Sequence, residues 1–329
     1  MIYKKELHLY RLFGFAIVTF TLLYAFSCFV DSGVRYSNLD GFKKVNSILV
    51  SEIDPDIISF GSSVGEKGFN SRIVSNVTRK TVYNSCIDGT NFEQYRGLIE
   101  AYNSYSSKKS LVLLFETHFS FVKLSAISCV ERFCAHLNNK FVYQRLYNID
   151  SSITWKSRYI PLYKNTVVDY TYYKAAFKGW MSIFRKNNRD SLQGFVPSYS
   201  KWQRGEDAAI DAMKPFKLKI ERNVISDYIK MVNDLRKNNK EVVIILPPIY
   251  ERLYKEKADF EPLRQVLDSV SGITGAVFLD FSQSAISRNK GYFYNTNHLN
   301  INGSRLFTRE LADSLKRYLH PAGIHFPPQ

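Results

Sequence analysis

Two short segments, far apart in the chain, carry residue types that together could make a nucleophilic site. The first is Phe60-Gly61-Ser62-Ser63-Val64, which follows an apolar run from Asp56 to Phe60. A glycine there permits a tight turn that a β-carbon would obstruct. A hydroxyl at the start of the following helix has a backbone N–H, and the positive helix end, aimed at a developing oxyanion. The second segment is Tyr292-Phe293-Tyr294-Asn295-Thr296-Asn297-His298-Leu299-Asn300, ahead of a final helix expected over Ser304 to Leu319. A histidine in that loop can serve a serine hydroxyl as general base. The pair could set the Ser63 hydroxyl beside His298 as its general base. Each feature alone is ordinary, since Gly-Ser-Ser after a strand is common turn chemistry and a lone histidine before a helix is usually a cap or a surface residue. Their order, and their place on one expected sheet, give them weight.

The elements that must position these residues read as one α/β unit. Strands are expected at Asp56–Phe60, Thr81–Asn84, Ser110–Phe115, Glu241–Leu246 and Ala276–Asp280. Most are short, continuous apolar runs, the pattern of strands buried on both faces. Between them, Phe92, Tyr95, Leu98, Ile99 and Tyr102 recur at helical spacing, as do Val224, Tyr228, Ile229, Met231, Val232 and Leu235 ahead of the basic Arg236-Lys237. Strands alternating with helices predict a parallel sheet covered by helices on both sides, a three-layer fold. A Tyr-, Phe- and Lys-rich segment, about 119–215, breaks the rhythm and is expected as a helical insertion over the top of the sheet, because no Pro/Gly linker bounds it.

The N-terminus bears on compartment. From Leu12 to Val30 no charge occurs, and nineteen helical residues come close to spanning a hydrocarbon core about 30 Å thick. Lys4, Lys5 and Arg11 precede the run and Asp31 follows it, so the positive-inside rule puts the N-terminus in the cytoplasm and the remainder outside. A cleaved signal peptide fits less well, because the apolar run continues past Ala25-Phe26-Ser27 to Val30; a lipoprotein signal at Cys28 is weakened by Phe26 and Ala25. The expected organisation is therefore an anchor over residues 1–31, a juxtamembrane connector over 32–50, the α/β domain with its insertion over 51–320, and a tail over 321–329.

Composition narrows the partners. The chain has 329 residues, 45% of them apolar, enough for a packed core. A net charge of +15 together with 22 Tyr and 24 Phe could suit nucleic acid, anionic lipid or an acidic polymer. The cations are scattered, with only short clusters such as Lys108-Lys109 and Arg185-Lys186, and no nucleic-acid-binding motif occurs, which argues against nucleic acid. Cys28, Cys86, Cys129 and Cys134 fit neither a zinc site nor a disulfide framework, so buried thiols are expected in preference to a Cys129–Cys134 bridge. No metal or organic cofactor is implied. His118 and His136 read as structural; His320 and His325 belong with Pro327-Pro328 to the terminal tail.

The segments around Ser63 and His298 resemble the first and last blocks of the SGNH/GDSL hydrolase family. In particular they resemble its membrane-anchored DltD-like branch, which includes cell-surface polysaccharide O-acetylation proteins. The resemblance runs from about Asp56 to Leu319. Gly61-Ser62-Ser63-Val64 stands where the family has Gly-Asp-Ser-Leu, which implies Ser63 as nucleophile, and His298 is implied as base. Tyr83-Asn84-Ser85-Cys86-Ile87-Asp88-Gly89 resembles the second block, where Gly89 would donate its N–H to the oxyanion hole. Asn84, Gly61, Ser62 and Thr117 complete the implied oxyanion and substrate-binding set, and Pro247-Pro248-Ile249-Tyr250 resembles a further segment of the branch. Two positions depart from the pattern. Asn295 stands where an Asp usually precedes the histidine by three residues; it can orient an imidazole but not offset its charge, and Asp280, then Glu116, are the substitute acids. The third-block Asn is also missing, because Leu114-Phe115-Glu116-Thr117-His118 stands there, leaving Thr117 or His118 as donors. The resemblance implies an O-acyltransferase or esterase acting on a cell-surface glycan or other acyl-carrying polymer, supplied by a polytopic acyltransferase of the MBOAT kind. The alternative is a catalytically silent relative serving as a binding or scaffold protein in polymer export or modification.

Overall fold

The computed structural model describes residues 2–183, 191–316, 319–320 and 323–324, with side chains described between residues 8 and 316. Five strands form the central sheet: β1 (Ile57–Gly61), β2 (Val82–Asn84), β3 (Leu111–Phe115), β4 (Glu241–Leu246) and β5 (Val277–Asp280). All neighbours are parallel, in the order β2-β1-β3-β4-β5, with Ile57 opposite both Val82 and Leu111, Leu111 opposite Glu241, and Val243 opposite Val277. The α/β class with a parallel, helix-flanked sheet is therefore as the apolar runs predict. In this order the connections leave β1 and β3 in opposite directions, so the crevice for a ligand lies beyond their carboxyl ends.

Successive strand residues point to opposite faces, and each face has its own core. Ile58, Phe60, Val112, Leu114, Val242 and Ile244 pack with α2 (Phe42–Leu49), α5 (Phe92–Tyr105), α11 (Arg222–Lys237) and α12 (Glu261–Thr274). Ile57, Leu111, Leu113, Phe115, Val243 and Ile245 pack with α4 (Ser71–Thr78) and α13 (Ile301–Lys316). Between β1 and α4 lies the short α3 (Ser63–Gly68). Helix α13 begins earlier than its apolar spacing suggests, because Asn300 Oδ1 accepts the N–H groups of Asn302 and Gly303 at 3.0 and 3.1 Å and so caps it. Beyond α13, β6 (Leu319–His320) and β7 (Gly323–Ile324) form an antiparallel ribbon; the expectations for the His320 side chain, for His325 and for the rest of the tail lie outside the described residues.

Helix α1 (Ile2–Arg35) contains a stretch, His8–Arg35, long and apolar enough to cross a membrane; from His8 to Phe26 its side chains are almost all exposed, and its last turns pack on the rest of the protein. The expected connector, 32–50, is instead structured. Helix α1 runs to Arg35, and α2 packs on α5 with Lys44 and Asn46 buried. Asn46 Nδ2 donates to the carbonyls of Val34 and Ser37 at 2.8 and 2.9 Å, which pins α2 to the end of α1.

The segment around 119–215 supplies α6 (Glu131–Cys134), α7 (Lys140–Ile149), α8 (Ser151–Tyr159), α9 (Tyr170–Ile183) and α10 (Glu206–Ala212). It is helical, but it does not simply cap the sheet. Helix α7 lies on the flank of α5, and α9 crosses α1 so closely that a β-carbon on Gly179 would sit 1.7 Å from Gly33 O. The segment then returns to the β2 edge, where Gln193 O accepts from Asn84 N–H. All four cysteines are unbridged; Cys134 is buried and Cys129 half-buried.

Candidate active site

The turn after β1 places Ser63. Gly61 has φ +149°, and a β-carbon there would lie 2.6 Å from Phe115 O, so a close pairing of β1 with β3 and a side chain at this position are incompatible. One helical turn on, a β-carbon at Gly65 would lie 2.5 Å from Cys86 Sγ, so α3 seats directly against the loop after β2. Ser63 is the first residue of α3, and neither its N–H nor that of Val64 has an acceptor among the described residues. Ser62 is 1% exposed, with its Oγ unpartnered.

The other half of the site is the loop from Tyr292 to Asn300. A bridge between Phe293 and Leu299, and Tyr294 N–H donating to His298 O at 3.1 Å, fold this loop into a tight hairpin. Asn300 Nδ2 donates to Gly291 O and Phe293 O. From α13, Ser304 Oγ and Thr308 Oγ1 donate to Gly68 O at the end of α3, at 2.9 and 3.1 Å, coupling the two halves across 236 and 240 residues.

This architecture brings His298 Nε2 to 2.7 Å from Ser63 Oγ, and His298 Nδ1 to 2.8 Å from Asn295 Oδ1. The proton positions follow from the hydrogen bonds. Asn295 Oδ1 also receives the N–H groups of Asn297 and His298 at 3.1 and 3.0 Å, so this atom is the amide oxygen, an acceptor only. Nδ1 must therefore carry the imidazole hydrogen, which leaves the Nε2 lone pair to accept from Ser63 O–H. That is the tautomer a general base needs. Burial holds the His298 pKa below its ordinary value; Asp88 and Glu66 pull it up and Lys67 pulls it down. The imidazole is neutral at pH 7. Tyr294 stacks on it, with ring centroids 5.3 Å apart and planes inclined by 13°.

The helix that begins with Ser63 also carries an ionic cluster. Lys44 Nζ sits 2.8 Å from Glu66 Oε1 and also donates to Cys86 O, while Lys67 Nζ lies 2.9 Å from Glu66 Oε2. Burial pushes the Glu66 carboxyl up, but the two ammonium groups outweigh it and hold it below the usual carboxylate range. Glu66 follows Ser63 by three residues and so shares a face of α3 with it.

The remaining expected site residues divide clearly. Gly89 is exposed, at φ +76°, beside the exposed Asp88, whose carbonyl accepts from Arg132 Nη1. Thr117 lies two residues past the end of β3, with Oγ1 at 3.2 Å from His118 Nδ1, and burial together with the charge of His298 lowers the His118 pKa to about 4. Asn84 is not available to a substrate: it is fully buried, with Nδ2 donating to Gly65 O and Phe69 O and Oδ1 accepting from Ser59 Oγ and Cys86 N–H. Asp280 is not the acid behind His298. It ends β5, the edge strand away from β1, and it pairs with Arg264 at 3.0 Å and Ser282 N–H at 2.8 Å. Glu116 is fully buried and takes hydrogen bonds from Tyr95 and Tyr228; burial raises its pKa. The partner of His298 is thus Asn295.

Tyr294, Asp88, Lys67 and the Lys44–Glu66 pair were not singled out by sequence reasoning. Tyr294 and Asp88 lie inside motif segments already in view, whereas Lys44 carries no local signal. No protein-family model matches the chain, and no curated protein matches it.

Proposed function

We propose that the protein is a membrane-anchored, serine-dependent O-acyltransferase or esterase of the SGNH type, acting on a cell-surface glycan or related polymer. One observation carries this reading: the continuous relay from Ser63 Oγ through His298 to Asn295 Oδ1, at the carboxyl end of β1 in a parallel sheet. In the proposed reaction Ser63 Oγ attacks the acyl carbonyl as its proton passes to His298 Nε2. The N–H groups of Ser63 and Gly89 receive the oxyanion. The tetrahedral species collapses to acyl-Ser63 as His298 returns the proton to the leaving oxygen. An acceptor hydroxyl, or water, then gives its proton to His298, attacks the ester and releases Ser63. No step needs a metal or organic cofactor.

The membrane part of the reading rests on α1, and its orientation on the cations before residue 12. Retention of α1 is supported by its last turns, which are held by Asn46 and by the Asp31–Lys164 ion pair and so form part of the folded domain. An anchored enzyme facing outward needs its acyl group carried across the bilayer, which suits a polytopic acyltransferase partner of the MBOAT kind.

The test is labelling of the full chain by a serine-reactive fluorophosphonate. Wild type should label, Ser63→Ala should not, and His298→Ala should slow labelling by about a thousandfold or more. A second reading is favoured by the uncharged Asn295: a catalytically silent relative that binds or scaffolds a cell-envelope polymer. Folded wild-type protein that resists labelling would support it.

A further inference from the structure

Where α1 meets the insertion there is a small polar cavity of about 70 Å³, bounded by Cys28, Asp31 and Arg35 of α1, Ser157 and Arg158 of α8, and Lys164. Its charges do not balance. Asp31 is matched by Lys164 Nζ at 2.6 Å and also accepts from the Tyr172 hydroxyl, so one carboxylate is fully engaged by one cation. Arg35 commits Nε to Ala135 O at 2.8 Å, and its terminal nitrogens have no partner among the described residues. Arg158 makes no ion pair or hydrogen bond among them either; its guanidinium lies over the rings of Tyr143 and Tyr159, at 4.5 and 5.1 Å. Ser157, 3% exposed, lines the same cavity, and the weakly hydrogen-bonding Cys134 thiol is the only polar group beside its Oγ among the described residues. A buried hydroxyl with only a thiol beside it, and two guanidinium groups with no carboxylate of their own among the described residues, line a space able to hold a tetrahedral oxyanion.

The position of the cavity indicates where the anion comes from. The apolar run of α1 ends at Val30, and the cavity opens beside Cys28, two residues before that limit, and Asp31, one residue after it. Exposed aromatic side chains stand on the two insertion helices: Trp155 and Tyr159 on α8, Tyr170 and Phe177 on α9. Trp180 of α9 stacks on Phe29 of α1 at 4.7 Å. Trp and Tyr collect where hydrocarbon gives way to headgroups. We propose that this cavity binds the phosphate of an anionic membrane lipid headgroup, and that the insertion helices α8 and α9 seat the domain on the bilayer surface. The proposal rests on α1 spanning the membrane and is independent of acyl transfer at Ser63.

The test uses the full chain in nanodiscs of phosphatidylcholine containing graded phosphatidylglycerol, with lipid retained on release read by native mass spectrometry. Wild type should retain one phosphatidylglycerol in preference to phosphatidylcholine. Arg158→Gln removes a guanidinium that pairs with no carboxylate and loses only its contacts with the Tyr143 and Tyr159 rings, so its thermal unfolding is checked beside wild type; it should cut the preference about fivefold, and Arg158→Lys should keep most of it. Adding Arg35→Gln should deepen the loss to about 25-fold. Ser63→Ala should leave the preference unchanged, which separates this result from the fate of the catalytic reading. Millimolar inorganic phosphate should not displace the lipid; displacement would identify a free-phosphate site and overturn the lipid assignment. Equal retention of the two lipids by wild type, or an undiminished preference in Arg158→Gln, would also overturn it.

Discussion

Replacing Asn295 by Asp tests the relay most directly. In the structure the amide oxygen already fixes the Nδ1–H tautomer, so the substitution changes charge while leaving the orienting hydrogen bonds in place. When Ser63 is attacking, His298 becomes an imidazolium, and a carboxylate in place of Asn295 Oδ1 would face it across the present 2.8 Å contact. Two unit charges about 4 Å apart interact by roughly 4 kcal/mol at an effective dielectric constant near 20. Desolvation reduces this little, because Asn295 is half-buried and its Nδ2 makes no hydrogen bond among the described residues, so the new oxygen would meet solvent. A net transition-state gain of about 1.5–3 kcal/mol corresponds to roughly ten- to a hundredfold faster labelling by fluorophosphonate. The pH profile supplies a second readout. The neutral imidazole is the active form, so the carboxylate, by raising the His298 pKa, should move the acidic limb of the rate profile upward. Stopped-time labelling from pH 5 to 9 measures both effects. A folded Asn295→Asp protein that labels no faster than wild type, with an unmoved acidic limb, would refute the relay as the source of reactivity.

Other perturbations separate structural from catalytic carboxylates and cations. Asp280→Asn should leave the labelling rate within about twofold and cost under about 1 kcal/mol in urea unfolding, because it removes a half-exposed ion pair with Arg264 remote from His298. Lys44→Met should cost about 3–5 kcal/mol, read by the same titration, since Glu66 would keep only Lys67 as a counter-charge in a buried setting. Burial lowers the His136 pKa to about 3, and its Nε2 is engaged by Asn46 Oδ1 at 2.8 Å. The unfolded chain therefore takes up a proton below about pH 6.5 that the folded chain refuses, and stability should fall as pH drops from there towards 3. Thermal unfolding of His136→Gln between pH 7 and 4.5 should show a flatter decline than wild type.

The sheet was readable because parallel strands are apolar on both faces, and runs such as Glu241–Leu246 announce themselves without reference to anything distant. Ser63 and His298 were readable for a similar reason: each sits in a local pattern, a strand-glycine-serine turn or a loop before a helix. The assignments that failed needed strand order. Asp280 and Asn295 are both plausible partners for a histidine until β5 is known to be the edge strand away from β1. Asn84 resembles a binding residue until four main-chain and side-chain groups are found around its amide. The connector misled for a different reason. Lys44 and Asn46 are residue types that belong in water, and only partners far along the chain, Glu66 and His136, allow their burial.

The Lys44–Glu66 pair has a consequence for reach. Through Asn46 and Lys44, helix α2 bolts the end of α1 to α3, the helix that begins with Ser63. An anchor joined to its domain by a supple tether lets the reactive group sample a hemisphere of heights above the lipid. Here the mount is stiff, so under the proposed function Ser63 would work at one altitude above a bilayer, and an acceptor hydroxyl would be selected by its distance from the membrane as much as by its chemistry. Lengthening the turn between Arg35 and Phe42 would not raise that altitude unless the bolt were cut as well.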